Sequence, residues 1–297
     1  MQRREVLLVD AFADEPTGGR PVAVDPTGSM SASQRGRAAG EFGTSGVVSL
    51  DGETIEYADW DGAQAVVAAA TAGAAGLYNR GALEPGAYEL AVAGETDPAG
   101  PFGVELDKHG TVTVDVPTAT PEFPAVDTDW IADAIGVDVA ALEDVGADLP
   151  IARVGSFGGT LLVAVNFLEH LSGATPDTGT VAHLLDDADA SRLVAFTFDT
   201  LAAETDVHAR VFDPEARGCE RGASGVGVAA CTAHLADHAV FDGERDEIAV
   251  ESGLFLDRPS TVRATVEREP SVGGTALTSL DGSLAVPEDD DDGIIEV

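Results

Sequence analysis

The residues between Ala209 and Leu235 combine types and spacings that could bind an anion and move a proton. The run ARVFDPEARGCERGASGVGVAACTAHL predicts a strand, a turn opened by Asp213 and Pro214, a loop rich in glycine and charge, and a helix of small residues beginning near Ala223. Glycine at a helix entrance lets backbone N–H groups approach a ligand closely, and the first helical turn carries unpaired donors and a positive partial charge. This pattern favours binding of a carboxylate or a developing enolate.

Three side chains at this loop are candidates for the chemistry. Glu220 could act as an acid or base at the edge of the loop, although in so acidic a chain it could equally be structural or solvated. Arg221 could bind a ligand carboxylate through two parallel hydrogen bonds, and the alternative is an internal salt bridge. Ser224 has no histidine close by in sequence to activate it as a nucleophile, so helix capping is the expected role.

The spacing of the cysteines and histidines predicts neither a metal site nor a redox site. Cys219 and Cys231 lack the C-x-x-C spacing that zinc or redox work requires, and we expect buried, inert thiols. His234 and His238 share a helical face, but no H-E-x-x-H context or third ligand accompanies them. We therefore predict no metal site and expect surface histidines near a helix C-terminus.

The charge of the chain limits its partners. Among 297 residues, 16 are basic and 53 acidic, the net charge is −37, and Lys108 is the only lysine. Such a charge repels nucleic acid and anionic membrane, so neither is an expected partner. An acidic surplus with almost no lysine is typical of a halophile's cytosolic protein. The sequence also predicts no signal peptide and no membrane span, and hence a cytoplasmic location.

The first part of the chain predicts seven strands and two helices. One helix runs from Ser31, whose spacing to Gln34 is that of a capping box, to about Ala39, and a uniformly apolar helix covers Ala63 to Leu77. The predicted strands are 5–10, 21–24, 46–50, 54–57, 88–93, 102–106 and 111–116.

The second part of the chain predicts a similar set of helices and strands. Asp127 or Thr128 caps one helix, another lies near Gly179 to Asp187, and the apolar helix after Ala223 is the counterpart of the one in the first part. The predicted strands are 151–154, 160–167, 193–198, 207–212, 247–251, 261–267 and 275–280.

The proline-rich segment PTATPEFPAVD, at 117–127, shows neither the helical nor the strand periodicity of apolar residues. It predicts a linker between domains 1–120 and 128–297. The last strands of the chain can return to the first domain. The pattern favours an α+β fold of two pseudo-symmetric domains. Each is a β-sheet or barrel wrapped round a central helix, with the two helix N-termini facing each other across a cleft. A chance similarity of two unrelated α+β halves is the alternative.

Three stretches carry a resemblance to a known family: VDAFADEPTGGRPVAV near the start, ARVFDPEARGCERGASG in the middle and GLFLDRPSTVRATVEREPSVGGTAL late in the chain. In this order they resemble the phenazine-biosynthesis F-like (PhzF-like) family, which shares the diaminopimelate-epimerase fold. The resemblance implies an isomerase or epimerase that works without metal or cofactor. It would move a proton on a small carboxylate metabolite held between the domains. The resemblance is also compatible with a homodimer.

In the first half the resemblance places ligand contacts at Ser45, Gly46, Gly62 and Ala63. The family has a proton-shuttling Glu in an S-E-T turn and a supporting His in a G-H turn before the first central helix. In GEFGTSGVVSL, Ser45 matches the Ser, but Gly46 stands at the position of the Glu. In DGAQAV, Gly62 is kept and Ala63 stands at the position of the His.

In the second half the family pattern is E-D-P-x-T-G-S, and the matching stretch here is CERGASGVG. Glu220 and Gly225 are retained, and Ser224 stands for the Thr. Arg221 replaces the Asp and Val226 replaces the Ser. We therefore expect Glu220 to be the catalytic group and Arg221, Ser224 and Gly225 to contact the ligand. A catalytically inactive binding or interaction protein is the alternative, because all four acid, base or supporting positions of the family are altered.

Overall fold

The strands of the protein join into one continuous sheet. The computed structural model describes residues 1–51, 54–59, 65–92, 102–146, 148–155, 157–241 and 245–288. Within these residues the strands are β1 Gln2–Ala11, β2 Arg20–Asp25, β3 Gly46–Asp51, β4 Thr54–Asp59, β5 Gly86–Val92, β6 Phe102–Leu106, β7 Val112–Asp115, β8 Ala152–Val154, β9 Thr160–Ala164, β10 Arg192–Thr197, β11 Val207–Phe212, β12 Glu220–Arg221, β13 Glu247–Ser252, β14 Ser260–Thr265, β15 Ser271–Gly274 and β16 Ala276–Val286.

The order of the strands divides the sheet into an early and a late part. The order is β16-β1-β2-β3-β4-β5-β6-β7-β15-β14-β13-β11-β10-β9-β8, with β12 paired to β11. The two parts meet where β7 pairs antiparallel with β15. The chain then returns to its start, because β16 pairs antiparallel with β1 from Gln2 opposite Val286 to Ala11 opposite Ala276. The domain boundaries 1–120 and 128–297 stay predictions.

The described residues form seven α-helices, two of which are central. They are α1 Ala32–Phe42, α2 Val66–Asn79, α3 Thr128–Ile135, α4 Ala140–Gly146, α5 Leu168–Ser172, α6 Thr178–Asp187 and α7 Gly225–Asp237. In α2 every residue from Val66 to Leu77 is buried, as is every residue of α7 from Gly225 to Leu235. Helices surrounded on all sides must be apolar all round, which explains their alanine-rich sequences.

Both central helices contribute to a single core. One cluster of buried side chains includes residues of α2 and of α7 together with the strands that surround them. A second cluster packs α3 and α6 against the outer face of the late sheet, and a third lies under α1. The mixed α/β architecture with two wrapped helices confirms the predicted fold class.

Local signals in the sequence located several helix ends well. Ser31 caps α1 in a capping box with Gln34, and the Asp127 side chain caps α3 by accepting from Asp129 N. The small-residue helix begins at Gly225, two residues later than predicted, because Ser224 is its N-cap. The start predicted for α2 at Ala63 lies outside the described residues, and α2 continues to Asn79 rather than ending at Leu77.

Other elements differ from the prediction for identifiable reasons. The strand predicted to reach Phe167 ends at Ala164, because Phe167 is the N-cap of the short helix α5. The strand predicted to end at Leu280 continues to Val286, because pairing with β1 outweighs the turn-like residues Asp281 and Gly282. The short elements α4, α5, β12 and β15 were not predicted, since two to seven residues carry too little periodicity.

The first turn of α7 packs directly against the first turn of α2. A Cβ atom at Gly225 would lie 2.5 Å from Cγ1 of Val67 and 3.3 Å from Cζ of Phe12. We expect Gly225→Ala to lower the free energy of unfolding by about 1–3 kcal/mol, because a methyl group there overpacks a filled core. Chemical denaturation would measure this. Gly40→Ala in α1 is the control, since a Cβ atom at Gly40 meets nothing within 4 Å; equal stability of the two variants would contradict the expectation.

Candidate functional site

The entrance of α7 is built by a capped helix start. The Ser224 side chain accepts a hydrogen bond from Gly227 N at 3.0 Å, which confirms its capping role. The amides of Gly225 and Val226 belong to the first turn, where the helix itself provides no acceptor. They therefore add positive partial charge at this point of the fold.

Glu220 lies in the short strand β12 and is engaged by an arginine. Its two carboxylate oxygens accept from Nε and Nη2 of Arg210 at 2.9 and 2.6 Å, and the two side chains are only 5% and 6% exposed. Nη1 of Arg210 also donates to the carbonyls of Leu171 and Ala174, and its guanidinium lies 5.1 Å from the ring centre of Phe212. This is the geometry expected of a structural ion pair.

Arg221 is also paired. Its Nε donates to Oδ2 of the buried Asp213, and its side chain is 18% exposed. Arg192, 2% exposed, donates to Thr160 Oγ1 and to the carbonyl of Phe157. Burial lowers the pKa of Arg192 to about 10, Asp213 opposes this, and the charges of Arg20 and Arg221 add to the lowering. Asp213 thus forms an ion pair with Arg221 and its charge also acts on Arg192.

Arg20 brings the first half of the chain to the same place. Its Nη2 donates to Ser45 Oγ at 3.1 Å, next to Gly46 at the start of β3. A Cβ atom at Gly222 would lie 3.1 Å from the carbonyl oxygen of Gly19, so the two loops abut. The structure therefore brings Ser45 and Gly46 near the arginine cluster formed by Arg20, Arg192 and Arg221. The predicted contacts Gly62 and Ala63 lie outside the described residues.

The turn before Arg20 requires glycine. Gly19 has φ +50°, and a Cβ atom there would lie 2.1 Å from the carbonyl oxygen of Ala11. Arg258 stabilises this turn. Its Nε donates to the carbonyl of Gly19, and its Nη2 donates to the carbonyl of Gly18 and to Oδ1 of Asp10. This turn also positions a cation, Arg20, which the sequence analysis did not predict.

The cysteines fit the expectation of inert thiols, but His234 does not fit that of a surface residue. Both cysteines are free and buried, and burial raises the pKa of Cys231 to about 12. His234 is 1% exposed and Nδ1 of its ring has no hydrogen-bond partner, so its placement on the surface was wrong. The large core around α7 buries it. No group of three potential metal ligands occurs among the described residues.

A second cluster of polar groups escaped the sequence analysis. His208 Nδ1 lies 2.7 Å from Glu251 Oε1, both side chains are buried, and Glu251 also accepts from Leu201 N, Ala202 N and Thr205 Oγ1. Glu251 lines a cavity of about 560 Å³ together with Asp14 and Glu204. Burial raises the pKa of Asp14. The polar residues His208 and Arg210 inside the otherwise apolar strand β11 were the available signal.

Comparison with known proteins places the chain in a family. The sequence profile of the family described as "Phenazine biosynthesis-like protein" matches residues 70–282. The Bacillus subtilis protein named "Uncharacterized isomerase YfhB" is 25% identical over 301 residues, which cover 97% of this chain and 98% of that one.

Solved structures of similar proteins share the fold. A phenazine biosynthesis protein of the PhzF family from Bacillus anthracis superposes with a TM-score of 0.76 at 19% identity, covering 96% of this chain and 100% of that one. A predicted epimerase from Pseudomonas aeruginosa gives a TM-score of 0.71 at 19% identity, with the same coverage of both chains.

In the part of the chain that is described, no helix is long and apolar enough to cross a membrane.

Proposed function

This chain belongs to the phenazine biosynthesis-like protein family, and from that membership we propose that it is an isomerase acting on a small carboxylate metabolite. The metabolite would bind at the entrance of α7, between the early and late parts of the sheet. Proton transfer at a carbon beside the carboxylate, without a metal or cofactor, is the chemistry we propose for this site.

The arginine cluster is the observation that carries the binding part of this proposal. Arg192 and Arg221 carry two positive charges, and Asp213, the ion-pair partner of Arg221, carries one negative charge, which leaves one positive charge in excess among these three groups. The first-turn amides of α7 add to this positive potential. In a chain of net charge −37, a local excess of positive charge favours an anionic ligand.

Glu220 is the proposed base, and its ion pair sets a condition on that role. Both of its carboxylate oxygens accept hydrogen bonds from Arg210, so neither is available to a substrate proton in this arrangement. In the complex, Glu220 would therefore have to part from Arg210 or reach the substrate through a water molecule. The proton shuttle of the family cannot be used, since Gly46, Arg221 and Val226 stand at three of its positions.

The second candidate function is binding without turnover. The ion pair of Glu220 with Arg210 favours it, because both carboxylate oxygens are occupied by a buried arginine. Under this alternative the protein still binds an anion but does not exchange a carbon-bound proton of that ligand with solvent.

Solvent-proton exchange separates these two functions. The protein would be incubated in D₂O and concentrated KCl with a panel of small carboxylic acids that carry a proton on the carbon beside the carboxylate. We expect deuterium to enter one or more of them, and Glu220→Gln to slow this entry by about 10²-fold or more, the usual contribution of a general base. Mass spectrometry measures the deuterium gained.

Glu215→Gln is the matched control, because Glu215 is an exposed acid on the same loop. It should exchange as fast as the wild type, and circular dichroism should show that every variant is folded. Equal exchange by Glu220→Gln would keep the isomerase and discard Glu220 as its base. No exchange by the folded wild type would favour the binding protein.

A further inference from the structure

The loop between β13 and β14 of the late part lies against a turn of the early part. The loop comprises residues 253–259, GLFLDRP, and carries Arg258. The Arg258 guanidinium donates to the carbonyls of Gly18 and Gly19 at 2.7 and 2.8 Å. It also donates to Oδ1 of Asp10 at 2.9 Å. One side chain of the late part therefore bonds three acceptors of the early part.

The same loop is attached to the entrance of α7 by other groups. Ser260, directly after the loop, donates its hydroxyl hydrogen to the carbonyl of Gly222 at 3.1 Å. A Cβ atom at Gly253 would lie 2.6 Å from that carbonyl oxygen, so the loop and the entrance of α7 are in close contact. These contacts do not involve the side chain of Arg258.

We propose that Arg258 is a positioning residue of the candidate site. It holds the turn of Gly18 and Gly19 against the entrance of α7 and thereby places the predicted ligand contacts Ser45 and Gly46 relative to that helix. The inference rests on the proposed function, since it assigns a role at the same site. It requires no contact between Arg258 and the ligand.

Arg20 connects the turn to the predicted contacts of the first half. It follows Gly19 directly, begins β2 and is buried. Its Nη2 donates to Ser45 Oγ at 3.1 Å. A shift of the turn therefore moves Arg20 and changes its bond to Ser45.

The turn needs bonds from outside because its backbone is strained. Thr17 has φ +71°, in the left-handed region that a β-branched residue rarely adopts. Such a conformation persists only where the surrounding structure holds it. Asp10, 2% exposed, accepts from Thr17 N at 3.1 Å, and its other oxygen accepts from Arg258. Arg258 thus stabilises the carboxylate that holds Thr17 in place.

Two backbone hydrogen bonds form a second connection between the turn and the loop. Gly19 N donates to the carbonyl of Pro259 at 3.1 Å, and Asp14 N donates to the same carbonyl at 3.4 Å. Both would remain after Arg258 is replaced. We therefore expect loss of the side chain to loosen the turn locally and not to unfold the chain.

Amide hydrogen exchange of the full chain, followed by NMR, tests whether Arg258 holds the turn. In Arg258→Met we expect the amides of Thr17 and Gly19 to exchange about 10-fold or more faster, as the loss of one charge-assisted hydrogen bond predicts. The amides of Gly227 and Val228, which bond Ser224 in the first turn of α7, should keep the wild-type rate.

Arg263→Met is the matched control. Arg263 lies in β14 beyond the same loop, and both it and its partner Glu247 are about half exposed. The control should leave the exchange of both segments unchanged. If Arg258→Met does not fold, Arg258→Lys should accelerate exchange in the turn by severalfold, because lysine keeps the charge but not the planar fork.

The acid that gains deuterium fastest in the panel described above supplies the functional readout. Arg258→Met should raise the acid concentration that gives the half-maximal rate by about 10-fold and change the maximal rate by less than about threefold. This split is expected because Arg258 bonds the early turn, whereas the proposed base Glu220 is held by Arg210. Arg258→Lys should recover part of the loss, and Arg263→Met should match the wild type.

Three results would overturn the inference. These are unchanged exchange in the turn of folded Arg258→Met, equal acceleration in the turn and in α7, and a loosened turn with an unchanged half-maximal concentration. In each case deuterium uptake by the wild type would leave the proposed function standing. If no acid gains deuterium with the wild type, the proposed function fails and the ligand-site role of Arg258 fails with it, whereas hydrogen exchange still shows whether Arg258 holds the turn.

Discussion

Replacing Arg210 with methionine is expected to lower the free energy of unfolding by about 3–5 kcal/mol. The substitution leaves the carboxylate of Glu220 buried with neither of the two hydrogen bonds it accepts at 2.9 and 2.6 Å. An uncompensated buried charge costs this much in other proteins. The carbonyls of Leu171 and Ala174 would lose a donor at the same time.

Chemical denaturation at a fixed salt concentration measures this change. Arg210→Met combined with Glu220→Met should regain most of the loss, since replacing both members of a buried pair with apolar groups is often neutral. Arg80→Met is the surface control, because Arg80 pairs with the exposed Glu5 and Asp281 and should cost no more than about 1 kcal/mol. A loss in Arg210→Met as small as that in Arg80→Met would refute the structural role of the pair.

The same experiment bears on catalysis. If Glu220 acts as a base, ligand binding must compete with Arg210 for its carboxylate. An unfolding free energy that rises with added substrate in the wild type, but not in the double methionine variant, would connect the ion pair to binding. The stability of the pair thus decides how readily the proposed base can be released.

Acidification is expected to remove about 3 kcal/mol of stability between pH 6.5 and 4 through His234 alone. Burial, together with the charge of His238, lowers the pKa of His234 from 6.5 to about 4, although Asp237 and a backbone hydrogen bond at Pro150 oppose the change. A fall from 6.5 to about 4, at about 1.4 kcal/mol per pH unit, corresponds to about 3 kcal/mol. The unfolded chain binds this proton first, so stability is fully present above pH 6.5 and is lost as the pH falls towards 4.

His234→Phe isolates this contribution. Carboxylates titrate in both proteins, so the difference between the two stability curves reports the histidine. We expect the curve of the variant to fall less steeply between pH 6.5 and 4. His183→Gln, which changes an exposed histidine of α6, should follow the wild type. Parallel curves for His234→Phe and the wild type would contradict the burial of an uncharged imidazole.

The sequence predicted the elements whose signals are local. The capping box of Ser31 with Gln34 and the cap of Asp127 lie within three residues of the amides they bond, so side-chain chemistry alone locates these helix starts. The apolar character of α2 and α7 predicted their burial, because only a surrounded helix can do without a polar face. The continuation of β16 beyond Leu280 depends on β1, more than 270 residues away in sequence, and no local pattern reports it.

The candidate site was predicted less completely for the same reason. Glu220, Arg221 and Ser224 lie within five residues and could be found together in the sequence. Arg20 and Ser45 are brought to them only by the fold, and the partners of Glu220 and Arg221 are set by strand pairing of β12 with β11. Composition indicates how many carboxylates exist, but only tertiary structure decides which of them meets an arginine.

Backbone amide shifts measured by NMR during titration with succinate would test the anion site most directly. We expect the largest changes at Arg221, Gly225, Val226 and Ser45, because the ligand would lie between the arginine cluster and the first turn of α7. Changes concentrated around Asp14, Glu204 and Glu251, which line the cavity of about 560 Å³, would contradict the proposed location. An unchanged spectrum with the folded protein would contradict anion binding itself.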